Sequence, residues 1–73
     1  MFMSLRRNFG KRLQQIRKYK GFTQAQLAEA MDLSVEMISN MERGINGPSF
    51  DTLEKLSAIL KVQVHELFLF NEI

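Results

Sequence analysis

Residues 23–44 read TQAQLAEAMDLSVEMISNMERG, and they contain two short helix patterns with almost no chain between them. Each pattern begins with a hydroxyl residue, Thr23 or Ser34, whose side chain can accept a hydrogen bond from a free backbone N–H in the first turn. Only one tight turn fits between Ala30 and Ser34, so the two helices must cross at a steep angle. This stretch therefore predicts a helix-turn-helix at about residues 23–43.

The composition is that of one small domain over residues 1–73. A chain of 73 residues has a core that only just holds the fold together, so most apolar side chains should be committed to it. The absence of cysteine excludes disulfides and thiolate metal sites and favours a reducing cytoplasm. No apolar run approaches the roughly 18 residues of a membrane span, and no cationic-then-apolar leader opens the chain. We expect a cytoplasmic protein without a membrane segment.

Helical patterns extend on both sides of this stretch. The first helix should end at Gly21, which can adopt the left-handed conformation, and its amphipathic stripe consists of Leu5, Phe9, Leu13, Ile16 and Tyr19. The second runs from about Gln24 to Met31 and the third from about Val35 to Arg43. Their inward-facing residues should be Leu27, Ala28, Met31, Ile38 and Met41.

The second half of the chain continues in the same way. A loop from Ile45 to Pro48 precedes Ser49, which should cap a fourth helix whose apolar face consists of Phe50, Leu53, Leu56 and Leu60. A short fifth helix is expected at about Val64 to Leu69. Because glycine and proline are scarce and fall at a few points, the sequence predicts an all-α fold. The expected architecture is a compact five-helix bundle at about residues 5–69.

Residues 21–60 read GFTQAQLAEAMDLSVEMISNMERGINGPSFDTLEKLSAIL, and they resemble the helix-turn-helix domain of the phage repressor and Cro family, the xenobiotic-response-element-type regulators. The matching features are Thr23 and Gln24 opening the second helix, small Ala28, the cap Ser34, the core anchor Ile38, Glu42-Arg43-Gly44, and Pro48-Ser49. The resemblance covers about Leu5 to Leu69. It implies a lambda-repressor-like fold and binding of operator DNA, in most family members as a dimer.

The resemblance implies that the third helix contacts base edges in the major groove. The base-contacting residues would be Val35, Glu36, Ser39 and Asn40, with Met37 at the margin. Many relatives carry glutamine where this chain has Val35 and Glu36. Valine offers only apolar contact, most naturally with a thymine methyl, and glutamate only accepts, as from a cytosine amino group. The alternative is an ordinary exposed helix face, which composition alone does not reject.

Phosphate contacts are implied at two places. Gln24 begins the second helix, where the positive end of the helix dipole attracts an anion, and a second clamp would come from the loop after the third helix. The full set is Thr23, Gln24, Ser34, Arg43, Asn46 and Gly47. In the competing interpretation Thr23 is only a cap and Gln24 is solvated. By resemblance, Arg17 should also form a structural ion pair with Glu42.

Charge is distributed unevenly along the chain. Residues 1–22 carry seven basic and no acidic side chains, whereas residues 23–73 carry three basic and eight acidic ones, for a net charge of +2. Such asymmetry can steer a polyanion. The basic residues of the first helix could contact phosphates or form a solvated face, and both interpretations stay open. The residues concerned are Arg6, Arg7, Lys11, Arg12, Lys18 and Lys20.

Three residues depart from the family pattern. Asp32 and Lys61 stand where relatives usually have glycine, after the second and fourth helices, and aspartate tolerates the left-handed region better than most residues do. Gln63 replaces the usual small cap of the fifth helix. These departures leave the fold prediction unchanged.

The C-terminal stretch, VHELFLFNEI, carries more apolar surface than one short helix can bury, an excess that usually marks a partner surface. A symmetric dimer through it would place two recognition helices about one DNA turn, roughly 34 Å, apart on a palindromic operator. The predicted interface consists of Leu67, Phe68, Phe70 and Ile73. The alternative is that these side chains fold back over the first helix.

No catalytic, cofactor or metal site is expected, because the chain has no phosphate-cradling glycine loop, no cysteine and a single histidine. The sequence therefore predicts a prokaryotic or phage transcriptional regulator, a repressor that binds double-stranded DNA as a homodimer. One alternative is the antitoxin of a toxin–antitoxin pair, which would bind a protein toxin and repress its own operon. A third interpretation is a helical interaction module with no role on DNA.

Overall fold

The computed structural model describes residues 4–70, and this range is helical with no β-strand. Its elements are α1 (Leu5–Tyr19), α2 (Gln24–Met31), α3 (Val35–Glu42), α4 (Phe50–Leu60) and a 3-10 helix (Val64–Phe68). The all-helical prediction is confirmed, but the fifth segment is a 3-10 helix and not an α-helix. Short segments can close i→i+3 hydrogen bonds where an α-helix would have too few residues. None of the helices in residues 4–70 is long and apolar enough to cross a membrane.

Hydroxyl caps fix the start of each α-helix. The side chains of Thr23, Ser34 and Ser49 accept from backbone N–H groups one turn further on, at 3.0, 3.1 and 3.1 Å. Each cap satisfies a donor that would otherwise have no partner within the helix. The three predicted caps are confirmed, and Ser4 plays the same part for α1.

Left-handed residues end the α-helices. Gly21 and Gly44 have φ of 85° and 78°, and Asp32 and Lys61 have φ of 59° and 58°. Asp32 and Lys61, which stand where relatives usually have glycine, therefore adopt the conformation that glycine would adopt there. A side chain in this region costs energy that glycine avoids, least for aspartate and asparagine.

Every element contributes a side chain to the core. Five leucine and isoleucine side chains are completely buried, one from each element; they are Leu13, Leu27, Ile38, Leu56 and Leu67. The predicted apolar faces are wrong at their ends, since Leu5, Tyr19 and Phe50 are exposed by 63%, 87% and 86%. These three residues begin or end a helix, beyond the region that the neighbouring elements cover.

Gly10 allows α1 and α3 to approach each other closely. A Cβ at this position would lie 2.4 Å from the carbonyl oxygen of Met41 and 2.5 Å from that of Glu42. These distances are far below van der Waals contact, so only glycine fits. The crossing of α1 over the C-terminal end of α3 therefore depends on a residue without a side chain.

The C-terminal apolar residues are divided between core and surface. Leu67 is completely buried, and the ring of Phe68 lies 5.3 Å from that of Phe9 on α1. The assignment of Leu67 to a dimer interface is therefore wrong, because its side chain is already enclosed within the monomer. Phe70 remains 37% exposed, and Ile73 lies outside the described residues.

Candidate nucleic-acid interface

Three residues connect α2 to α3. The N–H groups of Asp32 and Leu33 bond back to the carbonyls of Glu29 and Ala28 at 3.2 and 2.9 Å. The chain then turns through Asp32 in the left-handed conformation, and Ser34 immediately caps α3. The predicted helix-turn-helix is therefore present, with both ends of its turn held by hydrogen bonds.

The outer face of α3 carries the four residues predicted to contact bases. Ile38 is completely buried, whereas Val35 and Met37 are exposed by 45% and 47%. Glu36 is also exposed. The half-buried members of the set are Ser39 and Asn40. An anchored helix thus presents a mixed apolar and acidic surface at its N-terminal end.

A hydrogen bond links this face to the following loop. The Arg43 guanidinium donates to Asn40 Oδ1 at 3.0 Å. Arg43 is exposed, as are Asn46 and Gly47 in the loop between α3 and α4. The residues predicted for the second phosphate clamp therefore follow directly on the end of the helix that carries the predicted base contacts.

A buried ion pair orients the C-terminal end of α3. Arg17 donates to Glu42 through Nε at 2.5 Å and through Nη2 at 3.1 Å. This is the bidentate geometry that arginine and carboxylate prefer. Arg17 Nη1 also donates to the carbonyl of Phe22 at 2.8 Å. The two residues are only 6% and 7% exposed. The ion pair implied by the resemblance thus joins α1, the α1–α2 connection and α3.

Gln24 takes part in the same network. Its Nε2 donates to Glu42 Oε1 at 3.0 Å, so the side chain is turned inward and half-buried instead of extending freely into solvent. One amide hydrogen is used in this bond and one is left for another acceptor. The interpretation of Gln24 as a solvated residue is wrong. Local sequence patterns do not indicate this bond, because Gln24 begins α2 and Glu42 ends α3.

The predicted phosphate-contacting residues lie near the two ends of α3. Thr23 and Ser34 use their hydroxyl oxygens as helix caps. The bond between Gln24 and Glu42 brings the N-terminus of α2 next to the C-terminal end of α3, where Arg43 begins the loop. The fold thus brings Gln24 and Arg43, one from each predicted phosphate-contacting group, to the C-terminal end of α3.

The basic residues of α1 have different surroundings. Arg12 Nε donates to the carbonyl of Glu66 at 2.9 Å, which ties α1 to the 3-10 helix. Arg6 Nη1 donates to the carbonyl of Ile45 in the α3–α4 loop at 3.3 Å. Arg12 therefore has a structural role, whereas Arg6 reaches the loop that carries the predicted clamp.

The sequence matches known regulators over most of its length. Residues 13–67 match the family described as helix-turn-helix. The HTH-type transcriptional regulator SinR of Bacillus subtilis is 42% identical over 59 residues, which cover 80% of this chain and 53% of SinR. The chain thus spans about half the length of that relative. The control protein C.BamHI of Bacillus amyloliquefaciens is 39% identical over 74 residues, which cover 100% of this chain and 91% of that protein.

Solved structures share the fold. The restriction-modification controller protein C.AhdI from Aeromonas hydrophila superposes with a TM-score of 0.80 at 34% identity, covering 85% of this chain and 94% of the other. SinR in complex with DNA superposes with a TM-score of 0.75 at 42% identity, covering 81% and 95%. The chain belongs to the Cro/C1-type helix-turn-helix family of transcriptional regulators.

Proposed function

We propose that this chain binds double-stranded DNA with sequence specificity, with α3 in the major groove. The observation that carries the proposal is the exposed face of α3, anchored at its end by the buried Arg17–Glu42 pair. Such an anchor holds the helix at a fixed angle, which base contacts require because hydrogen bonds to base edges tolerate little displacement. The similar protein SinR has been solved in complex with DNA, which supports DNA as the ligand.

Base recognition is proposed for Val35, Glu36, Ser39 and Asn40. Val35 would contact a thymine methyl, and Glu36 would accept from a cytosine amino group while disfavouring bases that present only acceptors. Specificity would then come partly from apolar contact and from repulsion, and not from a full set of paired hydrogen bonds. Asn40 would contribute a donor, since its oxygen already accepts from Arg43.

Phosphate binding is proposed on both sides of α3. The second amide hydrogen of Gln24 and the N-terminus of α2 form one clamp, and Arg43, Asn46 and the Gly47 amide form the other. In this arrangement Thr23 and Ser34 cap the N-termini of α2 and α3, where the positive end of the helix dipole attracts a phosphate.

A homodimer on a palindromic operator is the proposed assembly. Phe70 and its neighbour Leu69 are exposed by 37% and 51%, and with Phe68 they form the remaining apolar surface near the C-terminal end. Two-fold pairing through this surface would bury it and set the half-sites about one DNA turn, roughly 34 Å, apart. We expect Phe70→Glu to yield a monomer in sedimentation equilibrium while circular dichroism stays unchanged; a wild-type protein that sediments as a monomer contradicts the assembly.

Repression is the proposed direction of control. A dimer bound over a promoter excludes polymerase by occupying the same DNA, which needs no contact surface beyond those already proposed. The similarity to a transcriptional regulator and a control protein favours this function over the antitoxin of a toxin–antitoxin pair.

Selection from a random duplex library with the purified protein tests the proposed function. We expect enrichment of a palindrome whose half-sites are one helical turn apart. Affinity for the selected duplex should fall steeply as salt rises, because binding releases counterions from the phosphates. A library without enrichment, or an affinity independent of salt, contradicts the proposal and favours a helical interaction module.

A further inference from the structure

The N-terminal turn of α1 lies against the α3–α4 loop. Arg6 donates to the carbonyl of Ile45, and a Cβ on Gly47 would lie 3.3 Å from Arg6 Cγ. The stem of Arg7 is closer still to the loop, since a Cβ on Gly44 would lie 2.6 Å from Arg7 Cγ. Two glycines therefore allow the loop to rest on the stems of two arginines.

This contact concentrates positive charge beside the loop. Arg6 and Arg7 are exposed, and within residues 4–70 neither guanidinium forms an ion pair with a carboxylate. The first turn of α1 has no acidic residue, so the positive end of the helix dipole is not neutralised there. Arg43, at the beginning of the loop, adds a third guanidinium.

We propose that Arg6 and Arg7 bind phosphates of the DNA backbone next to those held by the α3–α4 loop, so that the loop clamp extends onto α1. This inference rests on the proposed function. A guanidinium can donate two parallel hydrogen bonds to phosphate oxygens. Packing of the stems against Gly44 and Gly47 reduces the conformational freedom that each arginine loses on binding.

The basic residues of the first helix differ in their distance from the loop and in their partners. Arg12 is held by the 3-10 helix, and Arg17 is buried in its ion pair. Lys18 and Lys20 lie at the opposite end of α1 from the loop. Arg6 and Arg7 are the basic residues that lie against the loop, and the surface proposed to bind phosphate joins them to the clamp of Arg43, Asn46 and Gly47.

The test is the salt dependence of affinity for the selected duplex. Arg6→Met and Arg7→Met keep an unbranched stem against the loop and remove the charge. Each should make the slope of log affinity against log salt shallower by about 1.8 for the proposed homodimer, because both subunits lose one phosphate contact worth about 0.9 on B-DNA. Lys55→Met, which removes one charge from the exposed middle of α4, is the matched control and should leave the slope unchanged.

Charge-retaining variants separate the phosphate contact from packing. Arg6→Lys and Arg7→Lys should keep the wild-type slope, with urea denaturation showing that every variant is folded. If Arg6→Met and Arg7→Met change the slope no more than Lys55→Met does, the inference is overturned and the proposed function still stands. The inference is also overturned if Arg6→Lys and Arg7→Lys reduce the slope as much as the methionine substitutions do. A wild-type affinity that is flat across salt overturns the proposed function itself.

Discussion

At the scale of single residues, Gly10 has the strongest steric requirement in the described chain. Its missing Cβ would meet two backbone carbonyl oxygens of α3, and backbone cannot move aside as a flexible side chain can. We expect Gly10→Ala to lower the free energy of unfolding by about 3 kcal/mol, although alanine favours the helix by about 1 kcal/mol. Urea denaturation followed by circular dichroism measures the change.

Gly47→Ala is the matched control for Gly10→Ala. A Cβ at Gly47 meets only the flexible side chain of Arg6, at 3.3 Å, so the free energy of unfolding should change by less than about 0.5 kcal/mol. Equal destabilisation by the two substitutions would contradict the steric explanation. A glycine inside a helix pattern indicates that another element approaches closely at Gly10. The sequence does not indicate that this element is α3.

Glu36 is the residue at which specificity can be tested most directly. Its carboxylate can only accept, so Glu36→Ala should remove discrimination at one base position, worth about 1 kcal/mol, and should raise affinity for unrelated duplexes by removing repulsion from phosphates. Parallel binding-site selections with wild type and variant make the comparison. Glu54→Ala, at an exposed position of α4, removes the same charge and should leave the selected sequence unaltered. Identical selections from the wild type and Glu36→Ala would contradict the role of Glu36.

At the scale of elements, Asp32 and Lys61 limit stability, because they adopt the left-handed conformation and are not glycine. Lys61 ends α4 with φ of 58°, a conformation that costs a residue with a Cβ roughly 1–3 kcal/mol. Lys61→Gly removes that cost and makes the unfolded chain more flexible, which offsets about 0.4–1 kcal/mol. We expect a net gain of about 1 kcal/mol in the free energy of unfolding, measured in urea.

Asp32→Gly should stabilise less than Lys61→Gly, because aspartate tolerates the left-handed region better than lysine does. Lys55→Gly inside α4 is the control of opposite sign and should cost about 1 kcal/mol. A Lys61→Gly variant no more stable than the wild type would show that this helix end is not strained. The positions of these helix ends were predictable, because capping depends on neighbouring residues along the chain.

At the scale of the whole molecule, the Arg17–Glu42 pair connects the helix that carries the proposed base contacts to the rest of the fold. Arg17→Met should cost roughly 3–5 kcal/mol, because it leaves a buried carboxylate without its partner. A domain of this size has a total stability of roughly 4–11 kcal/mol, so the variant should lose a large part of its stability and unfold at a clearly lower temperature. Thermal unfolding by circular dichroism reports the loss.

The double variant Arg17→Met, Glu42→Met separates folding from binding. Replacing both charges with apolar side chains should recover most of the stability. A double variant as unstable as Arg17→Met would contradict the explanation by an unpaired buried charge. DNA binding measured on the folded double variant then tests whether the network, including Gln24, orients α3.

The sequence by itself determined the helices, their caps and the helix-turn-helix, because a cap or a left-handed turn depends on residues within one turn of one another. Thr23, Ser34 and Ser49 could therefore be identified before any fold was known. The tertiary structure alone decided which distant residues meet: Leu67 in the core, Gln24 on Glu42, and Arg6 on a loop 39 residues away. Such contacts depend on how close and at what angle the helices pack. Here Gly10 permits a close approach to α3, and the residues around Gly10 in the sequence do not identify α3 as the neighbour.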